Sequence, residues 1–194
     1  MKHYLIAIVA LLLTTFTVQA QHAHFGLKGG LNAYTILGNQ NANFVPKFSY
    51  HFGVLTHIHL VEKFALQPEV VYSAQGARFE GSSLDLRLKY FNVPILFQYM
   101  FADGFRVQAG PQLGILASAK TEYNKTKTNV RDELHGAELG VTVGMSYVKP
   151  SLGLGFDIRY NQGLTNILAW GPYNSFNSGI QLGIFYVFTH QSSK

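Results

Sequence analysis

The sequence predicts an all-β protein, an eight-stranded antiparallel up-and-down transmembrane β-barrel, and three observations lead to that prediction. Apolar and polar residues alternate in eight segments of the chain. The connections between these segments are alternately long and short. Charged residues make up only 13% of the chain and aromatic residues 14%, a composition that excludes intrinsic disorder.

The first residues resemble an export signal. Lys2 gives a basic start, residues 4–13 form an uninterrupted apolar run, and the stretch ends in the small residue Ala20. The apolar run is too short to cross a bilayer as a helix, which needs about 20 residues. We therefore expect residues 1–20 to be a signal peptide cleaved after Ala20, and residues 21–194 to form the barrel domain.

Each alternating segment has one apolar parity and one polar or small parity. A β-strand points successive side chains to opposite faces, so this period of two predicts strands with one apolar face. In the last segment, Phe185 and Val187 interrupt the alternation. The predicted strands cover residues 25–33, 48–60, 64–75, 91–101, 105–115, 137–147, 152–161 and 180–188.

The connections predict how the strands are arranged. The long ones cover residues 34–47, 78–86, 120–134 and 163–176, and the short ones cover residues 61–63, 102–104 and 148–151. In a meander with an even number of strands, all the long connections lie at one end and both termini at the other. We therefore expect short periplasmic turns and long extracellular loops, as in outer-membrane barrels.

The two parities predict which face meets lipid. One parity is apolar and nearly free of charge, which suits contact with acyl chains, and lipid requires a closed sheet without edges. The other is rich in Gly and Gln and carries equal numbers of basic and acidic residues, which we expect to pair inside the barrel because desolvating an ion is costly. These predicted ion-pair residues are Lys28, Glu69, Arg106, Glu138, Asp157 and Arg159.

Aromatic residues near the strand ends predict girdles at the two lipid–water boundaries. The residues assigned to these girdles are Tyr34, Tyr50, Tyr72, Tyr90, Tyr99, Phe101, Tyr147, Tyr160 and Tyr186.

Several segments resemble those of the PorT-like outer-membrane β-barrel family of Bacteroidota, often labelled the porin family. They are residues 28–32, 66–76, 90–96, 109–111 and 159–167, and they recur in order along the chain. The resemblance implies a barrel of about eight strands in the cell outer membrane, and the family includes a protein required for secretion. Such barrels commonly end at an aromatic insertion signal, whereas here a tail follows Phe188.

The composition excludes several chemistries. Without cysteine the chain has no disulfide, thiolate zinc site or cysteine nucleophile. No dense run of basic residues predicts nucleic-acid binding, and no catalytic or nucleotide-binding motif is present. We therefore expect a protein that is not an enzyme and has no cofactor. His57 and His59 share a face near His24, and we interpret them as lumen lining, with a metal site as the alternative.

Three functions fit these sequence features. The first is a structural or accessory role in which the long loops bind an envelope partner, with Trp170, Tyr173 and Phe176 as the candidate contact residues. The second is a small passive porin or channel, although eight strands leave an interior only wide enough for side chains. The third is a secreted lipocalin-like barrel that holds an apolar ligand.

Overall fold

The computed structural model describes residues 23–38 and 44–188. The expected signal peptide and its cleavage site after Ala20 lie outside these residues, as does the tail after Phe188. Within the described chain, no helix is long and apolar enough to span a membrane. The strands are β1 (Ala23–Gly38), β2 (Phe44–Val61), β3 (Phe64–Phe79), β4 (Leu84–Met100), β5 (Phe105–Tyr123), β6 (Thr126–Asn129), β7 (Ala137–Lys149), β8 (Leu154–Gly163) and β9 (Ser175–Val187).

All these strands except β6 form a closed antiparallel barrel. Each barrel strand pairs with its neighbours along the chain, and β7 pairs directly with β5. The barrel closes where β9 returns to β1, which places Leu27 opposite Tyr186 and Leu37 opposite Phe176. The short β6 folds back on the end of β5. The predicted eight-stranded up-and-down barrel is confirmed.

The apolar parity faces outward and the polar parity faces the lumen. On β2, Phe52 and Val54 are 55% and 51% exposed, whereas His51 is 2% exposed. The same alternation runs along the other barrel strands, whose buried positions include many Asn, Gln and Ser side chains. A polar interior inside an apolar exterior is the reverse of a water-soluble barrel and is typical of a barrel that crosses a membrane.

The two ends of the barrel differ in their connections. β1 begins and β9 ends at the same end as the short turns 62–63, 101–104 and 150–153. At the other end the longest connections cover residues 124–136, which include β6, and residues 164–174. The predicted loops 34–47 and 78–86 are shorter than expected, because β1 runs to Gly38, β2 begins at Phe44 and only residues 80–83 separate β3 from β4.

Two of the predicted girdle tyrosines lie inside the barrel. Tyr34 is 1% exposed and Tyr90 is 0% exposed, so the girdle assignment was wrong for both. Each shares its parity with a lumen-facing asparagine two residues away, Asn32 and Asn92 respectively. At the periplasmic end, by contrast, the outward rings do touch one another: Phe64 and Tyr99 lie 5.2 Å apart and Tyr99 and Phe101 lie 4.8 Å apart between ring centroids.

Candidate functional site

Four charged side chains meet in the middle of the lumen and form what we name the central charge cluster: Lys28, Glu69, Asp157 and Arg159. The two terminal nitrogens of Arg159 donate to the two oxygens of Glu69 at 2.7 and 2.8 Å. Arg159 Nη2 also lies 2.9 Å from Asp157 Oδ2. Lys28 Nζ donates to Glu69 at 3.3 Å and to Asp157 at 3.0 Å. Two cations therefore face two carboxylates.

Burial makes these contacts strong. The exposed fraction of the four side chains is between 0% and 2%. Around an ion pair that water does not reach, the effective dielectric constant is lower than in water, so each contact is stronger and each unpaired charge is more costly. The central charge cluster therefore links β1, β3 and β8 through the interior of the barrel.

Neutral polar side chains lie on both sides of the cluster, and on one side they are hydrogen-bonded to it. Gln67 donates to Glu69 at 2.7 Å, and Gln98 donates both to Gln67 at 3.0 Å and to Gln108 at 2.7 Å. On the other side, Asn32 Oδ1 lies 2.7 Å from His51 Nδ1. These hydrogen bonds link polar side chains that occupy the lumen on either side of the cluster.

Arg106 and Glu138, which the sequence placed in the same network, lie elsewhere. Arg106 is near the periplasmic mouth, where its Nη1 is 3.5 Å from His57 Nδ1. Glu138 lies at the extracellular end of β7, opposite Gly114 of β5, and accepts a hydrogen bond of 2.6 Å from Asn177. Neither makes an ion pair among the residues that the structure describes. Parity predicted their face correctly, but their heights along the barrel separate them from the cluster.

Apolar side chains are packed in the lumen at both ends of the barrel, on the extracellular and the periplasmic side of the polar layer. We name the lower group the periplasmic plug: Leu55, Val148, Phe185 and Val187. We name the upper group the extracellular plug, and it consists of Ile36, Ala77, Leu88, Tyr90, Leu116, Ala119, Leu134 and Ile167. Neither group was predicted from the sequence. The interrupted alternation at Phe185 and Val187 was the signal, because these inward positions of β9 are apolar.

The two longest loops supply part of the extracellular plug. Leu134 forms an isolated bridge with Leu168. The His135 N–H donates to the Ile167 carbonyl at 2.9 Å, and the Ala169 N–H donates to the Glu133 carbonyl at 3.0 Å. These backbone bonds hold the loops together over the mouth of the barrel, which places Leu134 and Ile167 in the lumen.

The three candidate contact residues have different settings. Trp170 is 81% exposed and Tyr173 is 47% exposed, and both lie in the loop 164–174. Phe176 was expected in the same loop but lies in β9, where it pairs with Leu37 of β1. Only Trp170 and Tyr173 therefore stand free of the sheet.

The three candidate metal-binding histidines, His24, His57 and His59, lie together at the periplasmic mouth. The rings of His57 and His59 lie 4.6 Å apart, and those of His24 and His59 lie 6.0 Å apart, between centroids. With Arg106 they line a cavity of about 360 Å³. Across residues 23–38 and 44–188, no group of three or more His, Asp or Glu side chains is arranged to hold a metal ion.

A closed barrel with an apolar exterior, a filled polar interior and apolar plugs is a membrane-embedded β-barrel of the outer-membrane type. The sequence model of the family described as "outer membrane protein beta-barrel domain" matches residues 19–169, which is more than half of the chain. The chain therefore belongs to this family, whose members are located in the outer membrane. No curated protein sequence matches the chain.

Solved structures show the same fold. Neisserial surface protein A superposes with a TM-score of 0.59 at 12% identity, over 87% of this chain and 100% of that one. Ail, the attachment invasion locus protein of Yersinia pestis, superposes with a TM-score of 0.53 at 12% identity, over the same shares. Ail in complex with the heparin analogue sucrose octasulfate gives a TM-score of 0.53 at 14% identity, again over 87% of this chain and 100% of that one. At these identities, the similarity shows that the fold is shared and shows nothing about function.

Proposed function

We propose that this chain is a non-enzymatic outer-membrane protein with a structural or accessory role, and that it acts through its extracellular loops. The observation that supports the proposal is the filled lumen. The central charge cluster occupies its middle, and an apolar plug closes each end. A barrel filled in this way offers solutes no path, so the surface that remains for a function lies outside.

The exposed aromatic residues of the loop 164–174 are the best candidates for that surface. Trp170 and Tyr173 present large rings to solvent at the extracellular end, and such residues often anchor protein interfaces. A photo-crosslinking residue at position 170, in cells that express the full chain, should give a specific cross-linked product. Tyr173→Ala should weaken that product.

The matched control for this experiment is a photo-crosslinker at position 152. Leu152 is also an exposed hydrophobic residue, at 55%, but it lies in a turn at the periplasmic end. The same product from both positions, or none from position 170, would contradict the proposed role of the loop. Stable conductance steps from the wild-type protein in a planar bilayer would instead favour the passive pore.

We also propose two finer assignments. Residues 1–20 are removed on export, so N-terminal sequencing of the mature protein should begin at Gln21. Within its family, the chain belongs to the PorT-like group of Bacteroidota, supported by segments such as residues 66–76 and 159–167. A component of a secretion system cross-linked from position 170 would support that assignment and identify the envelope partner.

A further inference from the structure

The outward face of the barrel carries an uneven distribution of charge at its extracellular end. The exposed cations on the barrel strands there are Arg78, Arg87, Lys89 and Lys120, on β3, β4 and β5, and Lys127 lies on the adjoining β6. At the same end of β7, β8, β9 and β1, the described outward positions carry no charged side chain. One side of the rim is therefore basic and the other side is neutral.

The strand register brings three of these cations together in what we name the basic patch: Arg87, Lys89 and Lys120. Arg87 lies directly opposite Lys120, and Lys89 is the next outward residue on β4, opposite Ser118. Opposite residues in a sheet are about 5 Å apart between Cβ atoms, and like charges in that position are destabilising. An anion between these side chains would turn the repulsion into attraction.

The nearby carboxylates are already occupied. Asp85 accepts from Lys47 at 2.9 Å and from Arg78 at 3.2 Å. Glu122 lies 2.8 Å from Arg87 Nε and 3.9 Å from Lys127 Nζ. Within the described chain, Lys89 and Lys120 have no acidic partner. The patch therefore has two uncompensated positive charges.

The height of the patch indicates the kind of anion. Lys89 is two residues before Phe91 on the same face of β4, and Phe91 is 46% exposed. The Phe91 ring lies 5.6 Å from that of Tyr72, which in turn lies 5.0 Å from that of Phe52, so a lipid-facing aromatic surface begins directly below Lys89. The ammonium groups are therefore at the level where lipid headgroups lie.

We propose that the basic patch binds the phosphate groups of an anionic lipid headgroup in the outer leaflet. A phosphorylated lipid satisfies both parts of the surface, because its phosphates pair with Lys89 and Lys120 while its acyl chains cover the rings of Phe91, Tyr72 and Phe52. A soluble anion would use the charges alone. This site is independent of the loop that carries Trp170.

Native mass spectrometry of the full chain, released from detergent with added lipid, tests this site. The wild-type protein should retain phosphatidic acid and diphosphorylated lipid A in preference to phosphatidylcholine. Each lysine near an anionic surface adds to the attraction, so Lys89→Gln with Lys120→Gln should weaken this retention about tenfold or more. Lys89→Arg with Lys120→Arg should preserve it, and added salt should reduce it.

The matched control removes two lysines from the other end of the barrel. Lys63→Gln with Lys149→Gln changes the net charge equally, and both residues are exposed. An equal loss in this control, or equal retention of phosphatidylcholine by the wild-type protein, would overturn the proposal. Full competition by inorganic pyrophosphate would assign the patch to a soluble anion instead. The heat-dependent gel shift of each variant shows that it is folded.

Discussion

The protein contains two groups of ion pairs of similar chemistry that differ in how far water reaches them. In the central charge cluster, Arg159 and Lys28 face Glu69 and Asp157, and all four side chains are at most 2% exposed. At the extracellular rim, Arg78 and Lys47 face Asp85, with exposed fractions of 58%, 12% and 16%. The contact distances are similar, at 2.7 to 3.3 Å inside and 2.9 to 3.2 Å at the rim. Distance alone therefore does not distinguish them.

Their surroundings predict different energies. Arg78 is 58% exposed, so water screens its pair with Asp85, and an exposed pair of this kind contributes at most about 1 kcal/mol. The side chains of the central charge cluster are at most 2% exposed, so removing one partner inside leaves a buried charge without compensation. Replacing the arginine of an ion pair by leucine should therefore lower the stability strongly in the centre and weakly at the rim.

The largest effect is expected for Arg159→Leu. It leaves Lys28 alone against Glu69 and Asp157, and the free energy of unfolding should fall by about 3 to 5 kcal/mol. Urea unfolding of the protein in lipid vesicles measures this loss, and a lower temperature for the heat-dependent gel shift should accompany it. Arg78→Leu, which removes a partner of Asp85 at the rim, is the matched control and should cost at most about 1 kcal/mol.

A second substitution shows whether charge balance is the cause. In Glu69→Leu with Arg159→Leu, Lys28 remains paired with Asp157, which lies 3.0 Å away. The double variant should therefore be more stable than Arg159→Leu alone. If it is less stable, packing rather than charge explains the loss in the single variant.

Opening the periplasmic plug should make the central ion pairs contribute less to stability, so that they become more like the rim pairs. Phe185→Ala removes the largest side chain of the plug, and the free energy of unfolding should fall by about 3 kcal/mol. Because water then reaches the interior, Arg159→Leu should cost less in this background than in the wild-type protein. Urea unfolding of the four proteins of this cycle measures both effects.

The control for this cycle is Leu152→Ala in the exposed turn, which should change the stability by about 0.5 kcal/mol or less. An undiminished cost of Arg159→Leu in the Phe185→Ala background would show that the plug does not keep the cluster dry.

These residues also show what the sequence could and could not predict. Alternation fixes the face of each side chain, and it placed Lys28 and Arg159 correctly in the lumen. It does not fix height, because the pairing register and strand tilt decide which inward residues meet. Arg106 and Glu138 share the face of the central charge cluster but lie toward opposite ends of the barrel.

The closure of the ends was missed for a related reason. Apolar inward residues such as Phe185 contradict the expected polar parity, and in the sequence they look like an interruption of the pattern. Tyr34 and Tyr90 were assigned to the girdles by residue type, although their parity places both in the lumen. Parity was thus the more reliable guide, and the contribution of Leu134 and Ile167 depends on loop docking that no periodicity reveals.

A smaller effect is expected from crowding the central charge cluster without removing a charge. A methyl group added to Gly183 would lie 2.6 Å from Asp157 Oδ1, so the carboxylate must move. Gly183→Ala should lower the free energy of unfolding by about 1 to 3 kcal/mol. Gly29→Ala is the control, because its methyl group would lie 3.5 Å from the nearest atom, the His51 carbonyl oxygen. Urea unfolding in lipid vesicles measures both variants. Equal losses of stability in the two would argue against tight packing around Asp157.

The smallest effect is expected at the rim, and it should depend on pH. Burial raises the pKa of Asp85, but the hydrogen bond and charge of Lys47, with a further hydrogen bond from Arg78, outweigh it and hold the pKa below its usual value. A depressed carboxyl pKa stabilises the folded state above the ordinary Asp value of about 4, and this contribution is lost as the pH falls through the lowered pKa. Asp85→Asn should therefore cost at most about 1 kcal/mol at neutral pH and nothing in strong acid. Urea unfolding of both proteins from neutral pH to strong acid tests this prediction. A loss of stability that persists in strong acid would mean that Asp85 acts through packing rather than through its charge.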